Sequence, residues 1–210
     1  MRKILIQEDV QLVESRLTQF EKTTGCELLL VLTNACDPYP GASARFGLVG
    51  AFLLNLVFSY YFTFLHGWLW PVTFFLSALL LTWVGHFDWF KRFAVSDAEM
   101  ARECREKAIE YFHTLGTSKV AHKVTAMIMV SSLEKTIQVL IDEKLKSEIT
   151  QQELDELILI MKSHFKSGHM GLGLINSISK LEEKILKDFG GKVSEMQVSE
   201  LSDKIHFMVN

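Results

Sequence analysis

The sequence predicts a small α/β sandwich interrupted by a two-helix apolar hairpin, and three observations carry that prediction. An amphipathic segment leads into "CELLLVLT", Cys26 to Thr33, a continuous apolar run of strand length. From Phe46 to Phe87 there is no Asp, Glu, Lys or Arg. Beyond that stretch, charges return at ordinary density and the pattern reads helix, strand, strand, helix, helix.

Each element has its own signal. Asp9 to Thr24 places Val10, Leu12, Val13, Leu17 and Phe20 on one helical stripe, with acidic residues at its start and Gly25 as a stop. Cys26–Thr33 has the unbroken apolar character of a strand buried on both faces. "NACDPYPGASA" reads as a loop running into the uncharged stretch. After the hairpin, Ser96 to Leu115 reads as a helix, with Ser96 as N-cap and Glu99 three residues on. "VTAMIMVS" (Val124–Ser131) and "TIQVLID" (Thr136–Asp142) are two strands joined by a short turn. Thr150 with Glu153 opens a further helix, and "LGLINSISKLEEKILKDF" is another, stopped by Gly190 and Gly191. The expected organisation is a domain in two parts, 1–44 and 91–190, around a hairpin at 45–90, with a polar tail at 191–210.

The uncharged stretch is long enough for two membrane spans, 46–65 and 70–87, since a bilayer core of roughly 30 Å needs about 20 apolar residues per helix. Phe46–Leu65 holds twelve Leu, Val or Phe residues. At ~0.3–0.6 kcal/mol each they favour insertion by about 4–7 kcal/mol, enough to carry Asn55. Between the spans, Gly67 and Pro71 punctuate, and Pro71 suits the first turn of the second helix. Trp68 and Trp70 fit a membrane–water interface. Arg45 precedes the first span, Lys91 and Arg92 follow the second, and the connecting turn has no cation. The positive-inside rule then keeps both flanks cytoplasmic in a multi-pass protein of the cell inner membrane. Asn55 is a polar residue of the kind that bridges helices, within the hairpin or to another copy.

Flanks retained on one side can fold together. A right-handed crossover makes the first two strands parallel. The third strand returns, which brings Asp142 beside the starts of the first two, near Glu27.

Composition narrows the function classes. A formal net charge of −3 gives no basic footprint for nucleic acid. Three cysteines without C-x-x-C spacing argue against a disulfide framework or a zinc site, fit a reducing compartment, and read as small buried apolar residues. "MRKILIQEDV" has too short an apolar stretch before Glu8 and Asp9 to be read as a cleaved export signal.

The segments "TTGCELLLVLTNACDPYP", "HTLGTSKVAHKVTAMIMVSSLEKTIQVLID" and "FKSGHMGLGLINSI", together with the hairpin, resemble the TPM domain. The similarity is to its bacterial membrane branch, in which a transmembrane segment interrupts the domain after the first strand, and it covers nearly the whole chain except the tail. The resemblance implies functional variety: plant thylakoid members are linked to acid phosphatase activity and photosystem repair, and another acts as a receptor accessory. It also implies an acidic, calcium-associated site at the strand ends, as in soluble members. Glu27 and Asp142 match that pattern. The family's Thr-Gly at the second strand is Val124–Thr125 here, and its Asp-x-Gly is Asp142, Glu143, Lys144.

The candidate cation site is Glu27, Asp142 and Glu143, oxygen ligands suited to calcium or to acid–base work, and the alternative for the same residues is a surface ion-pair cluster with Lys123 or Lys144 as counter-ion. His164 and His169 are five apart across a helix end, and solvated or capping roles suit them better than metal binding. "GHMGLG" (Gly168–Gly173) follows a helix rather than a strand, so it reads as an interhelical turn and not a phosphate loop. The expected function is an interaction or assembly module at the lipid bilayer, engaging a membrane-protein partner or a second copy. The alternative is a calcium-associated acid phosphatase using Glu27 and Asp142.

Overall fold

A computed structural model describes residues 7–62, 67–117, 125–146, 149–189 and 205–208. The chain forms two compact units: Met1–Cys36 with Cys104–Asn210, and the inserted Asp37–Glu103.

The first unit is built on strands β1 (Glu27–Thr33), β2 (Thr125–Ser131), β3 (Thr136–Ile141) and β4 (His206–Met208), in the order β3-β2-β1-β4. β1 pairs parallel to β2, with Glu27 opposite Thr125, and β3 returns antiparallel, with Ile141 opposite Ala126. The three longer strands lie within a residue or two of their sequence-read limits. β1 and β2 are buried along their whole length, while edge strand β3 alternates, as half-covered strands do. The 191–210 segment is not wholly outside the fold: His206–Met208 adds a parallel edge to β1. Gly190 and Gly191, the expected stop of the last helix, and Met1–Ile6 lie outside the described residues.

Helices α1 (Gln7–Thr24), α7 (Gln151–Lys166) and α8 (Met170–Phe189) cover one face. Val13, Leu17 and Phe20 meet Leu154, Leu157 and Met161, and Leu174, Ile178 and Leu181, over Leu28, Leu30 and Leu32 of β1. Gly25, at φ 67°, ends α1 in the left-handed conformation glycine favours. The capping box at α7 is complete: Thr150 and Glu153 exchange side-chain and backbone hydrogen bonds. Glu153 also pairs with Lys184 of α8. That hydrogen bond, with those from Thr150, holds its carboxyl down at about 2. Between α7 and α8, Gly168 turns at φ 82°, so "GHMGLG" is the helix-to-helix turn that its position after a helix predicts.

The opposite face is covered by the C-terminal half of α5 (Asp97–Tyr111) and the π-helical turn Phe112–Thr117. Cys104 and Ala108 pack there on Leu29, Val31, Met127 and Met129. Ser96 caps α5 through the Glu99 N–H, but the Glu99 carboxylate turns to Arg45, at 2.9 and 3.0 Å.

The inserted unit holds α2 (Pro40–Tyr61), α3 (Leu69–Val84) and α4 (Asp88–Ala94). α2 begins six residues earlier than the expected span, because Pro40 starts the helix where its missing N–H costs nothing. Residues 40–44, read as loop, are therefore helical. α3 stops at Val84, short of the expected Phe87, and its 16 residues span about 24 Å against about 33 Å for α2. By length and composition α2 alone, among the described residues, qualifies as a membrane span.

Candidate functional site

The sheet brings Glu27 and Asp142 to the same end, on either side of Thr125. Glu27 is opposite Thr125 in β1, and the Asp142 N–H donates to the Thr125 carbonyl at 2.9 Å. One strand separates the two acids, which puts their backbones about 10 Å apart. The Glu27 side chain is buried, whereas Asp142 Oδ1 accepts the Glu143 N–H at 2.6 Å and caps the short helix α6 (Glu143–Lys146). Glu143 itself faces solvent. The calcium candidates thus share a sheet end without converging on one point.

Convergence occurs at the other end of β1. Among the described residues, one trio of Cys, His, Asp or Glu side chains brings its ligand atoms within 4.8 Å of one another: Cys36, Cys104 and Glu134. Cys36 follows β1, Cys104 lies in α5, and Glu134 sits in the β2–β3 turn. Each is at most 4% exposed. Cys36 and Cys104 are joined as a disulfide, with Cα atoms 5.2 Å apart. The Cys36 N–H donates to Glu134 Oε1 at 2.8 Å, and the Ser131 hydroxyl donates to Oε2.

This pair corrects the reading of the cysteines as unlinked. Odd number and spacing said nothing about two residues 68 positions apart that become neighbours only when the insertion closes. The signal available was positional: one cysteine three residues past a strand that precedes the insertion, the other on the apolar Met100–Cys104–Ala108 stripe of the helix that follows it. Cys26 does follow the expectation. It is a free, buried thiol, pushed above its ordinary value by that burial.

Within the inserted unit, the α2–α3 pair buries small and polar groups. On α2, Ser43, Gly47 and Ala51 recur every fourth residue on the buried side, and Asn55 continues the row, partly covered. Asn55 donates to the Ser77 hydroxyl at 3.1 Å and to the Ala51 carbonyl at 2.9 Å, and accepts from the Thr73 hydroxyl at 2.9 Å. It joins α2 to α3 within this copy, one of the two bridging roles its position allowed. Ser43 donates to the Gly85 carbonyl at 2.9 Å. The large apolar residues point outward: Leu48, Phe52, Leu53 and Leu56 of α2, and Phe75, Leu79 and Trp83 of α3, are all exposed.

The expected interface residues lie at the ends of these helices. Trp68 is exposed just before α3 and Trp70 is half-buried in its first turn, where Pro71 follows. Lys91 and Arg92 occupy the last turn of α4, and Arg92 reaches the Met100 sulfur at 3.7 Å. His164 and His169 serve the α7–α8 turn. The His164 ring contacts the Ile160 carbonyl and Asn176, and the His169 ring contacts Ser167.

No family model and no curated protein matches the chain. In architecture it is similar to the NMR structure of the BA42 protein from the psychrophilic bacterium Bizionia argentinensis, with a TM-score of 0.58 over 99% of this chain and 98% of that one. Identity is 13%, so the likeness is one of fold.

Proposed function

We propose that the chain is an integral membrane protein whose hairpin crosses the bilayer and whose interrupted α/β domain, resembling the TPM domain, is an interaction or assembly module for membrane partners. The observation that carries this reading is the inverted packing of α2 against α3. Gly47 leaves no room for a side chain: a Cβ there would overlap Thr82 Oγ1 and lie 2.9 Å from the Ala78 carbonyl oxygen. Lipid-embedded helices pack through small residues and hydrogen-bonded polar ones because hydrocarbon supplies no hydrophobic drive between them. Outward Phe, Leu and Trp then face acyl chains. An exposed apolar face of this extent in water would draw association.

α2 matches a bilayer core, and the shorter α3 is accommodated by local thinning or by oligomerisation. Arg45, Lys91 and Arg92 favour an inner-membrane protein with both termini cytoplasmic. The test is fractionation of cells expressing the chain. The protein should stay with membranes through alkaline carbonate extraction, and Leu53→Arg with Leu79→Arg should release it. A wild-type chain recovered soluble and monomeric would defeat the reading.

A second reading has one supporting observation, the gathering of Glu27 and Asp142 around Thr125. A calcium-associated phosphatase working there should hydrolyse a generic phosphoester and lose that activity in a folded Asp142→Asn variant. An assembly module would be indifferent to the change.

A further inference from the structure

We propose that Cys36, Cys104 and Glu134 form a redox-linked zinc site, in which the disulfide is the metal-free, oxidised form. The argument concerns the α/β unit alone and holds whichever side of a membrane that unit faces. Three segments remote in sequence deliver two sulfurs and one carboxylate oxygen to a single buried point. Thiolate and carboxylate donors are a zinc ligand set, with a fourth position left for water. A neutral disulfide gains little from a buried carboxylate beside it. A dication bound to the two sulfurs gains it as a ligand and counter-charge.

The carboxylate is also held as a ligand would be. The Cys36 N–H and the Ser131 hydroxyl fix its two oxygens, the outer hydrogen bonding that orients metal ligands. Leu29, Val31, Met127 and Met129 pack in one buried apolar cluster with the two cysteines. Cys36 ends the first half of the α/β unit and Cys104 opens the second, so either state, bond or metal, clasps the two halves where the insertion leaves and returns.

The chemistry balances simply. A dithiol reductant transfers two electrons and two protons to the Cys36–Cys104 bond, giving two thiols and the reductant's own disulfide. Zinc binding then releases those two protons as the thiolates form. Oxidation reverses the order, because a disulfide sulfur is no longer a thiolate ligand, and zinc leaves.

The experiment uses the full chain in detergent, reduced anaerobically with a phosphine and freed of metal, its fold followed by circular dichroism. Cobalt serves as a coloured probe, followed by zinc. The expected result is one cobalt per chain with a thiolate charge-transfer band, displaced by zinc, and a melting temperature raised by zinc through mass action. A disulfide-forming oxidant should release the zinc in step with loss of thiols. Cys104→Ser should abolish the band, and Glu134→Gln should weaken zinc binding at least about tenfold while preserving the fold. Substoichiometric uptake by the folded reduced chain, or unchanged uptake in either variant, would overturn the site. Unfolding on reduction, with no recovery on adding zinc, would leave only a structural disulfide and overturn it equally.

Discussion

In the α/β unit, Leu30, Met127 and Leu181 are buried almost completely and most charged groups lie at the surface, as in Lys180–Glu156 between α8 and α7, with Glu27 and Glu134 buried at the two ends of the sheet. In the α2–α3 pair of the inserted unit the buried residues are Ala42, Ser43, Gly47, Ala51 and Ala78, while Leu53, Phe75 and Leu79 are exposed. One unit is held by the removal of large apolar surface from water. The other is held by close backbone approach and a few hydrogen bonds. The same substitution should therefore have opposite consequences in the two, and that contrast can be attacked directly.

The largest effect is expected from Leu30→Ala. It deletes a fully buried side chain at the centre of β1, costing about 2–5 kcal/mol in thermal or denaturant unfolding. Phe75→Ala removes a larger side chain from an exposed site and should stay within about 0.5 kcal/mol in detergent. Equal losses for the two would show Phe75 packed against protein, and the comparison would fail.

Enlarging a small residue should invert the ranking. Gly47→Ala places a Cβ 2.9 Å from the Ala78 carbonyl as well as against Thr82, and backbone cannot rotate away. The expected cost is about 1–3 kcal/mol, read as loss of helix pairing in the isolated hairpin or as a lowered melting point of the whole chain. Gly41→Ala, in the first turn of the same helix but with nothing within 4 Å of its Cβ, is the control and should be silent.

Asn55→Leu comes next. It keeps the side-chain size but loses the hydrogen bonds with Ser77 and Thr73. Interhelical bonds of this kind are worth about 0.6–2 kcal/mol in membranes. The same variant would be neutral or stabilising if another copy, rather than α3, supplied the contacts, so helix pairing measured at high dilution distinguishes the two.

Much of the α/β unit was legible because its strands are unbroken apolar runs and its caps are local. Glu27–Thr33 and Thr125–Ser131 announce burial on both faces, and Thr150 with Glu153 announces a helix start within four residues. The parallel pairing followed from topology, and so did the shared sheet end of Glu27 and Asp142. His206–Met208 was not legible: three residues in a polar tail carry no periodicity, and only the open edge of β1 makes them a strand. Cys36, Cys104 and Glu134 were missed for a related reason. No short-range spacing marks ligands from three remote segments, and their partnership exists only after β1, α5 and the β2–β3 turn have packed.

The smallest expected effect tests the conventional, water-facing side of the comparison. Glu153 is held at about 2 by Lys184 first and by Thr150 next, below the ordinary carboxylate range near 4.3. A group whose folded value is depressed adds stability above its unfolded value and loses it as pH falls toward the folded one. Its contribution is therefore present at neutral pH and fades between about pH 4.5 and 2. Glu153→Gln can still accept from Thr150 and so retains much of the cap, but it cannot titrate. Wild type should be the more stable at pH 7, and the gap should close across that acid window. High salt should narrow the gap at neutral pH, since the pair with Lys184 is partly open to solvent. A gap independent of both pH and salt would place the effect in the cap geometry and not in the charge.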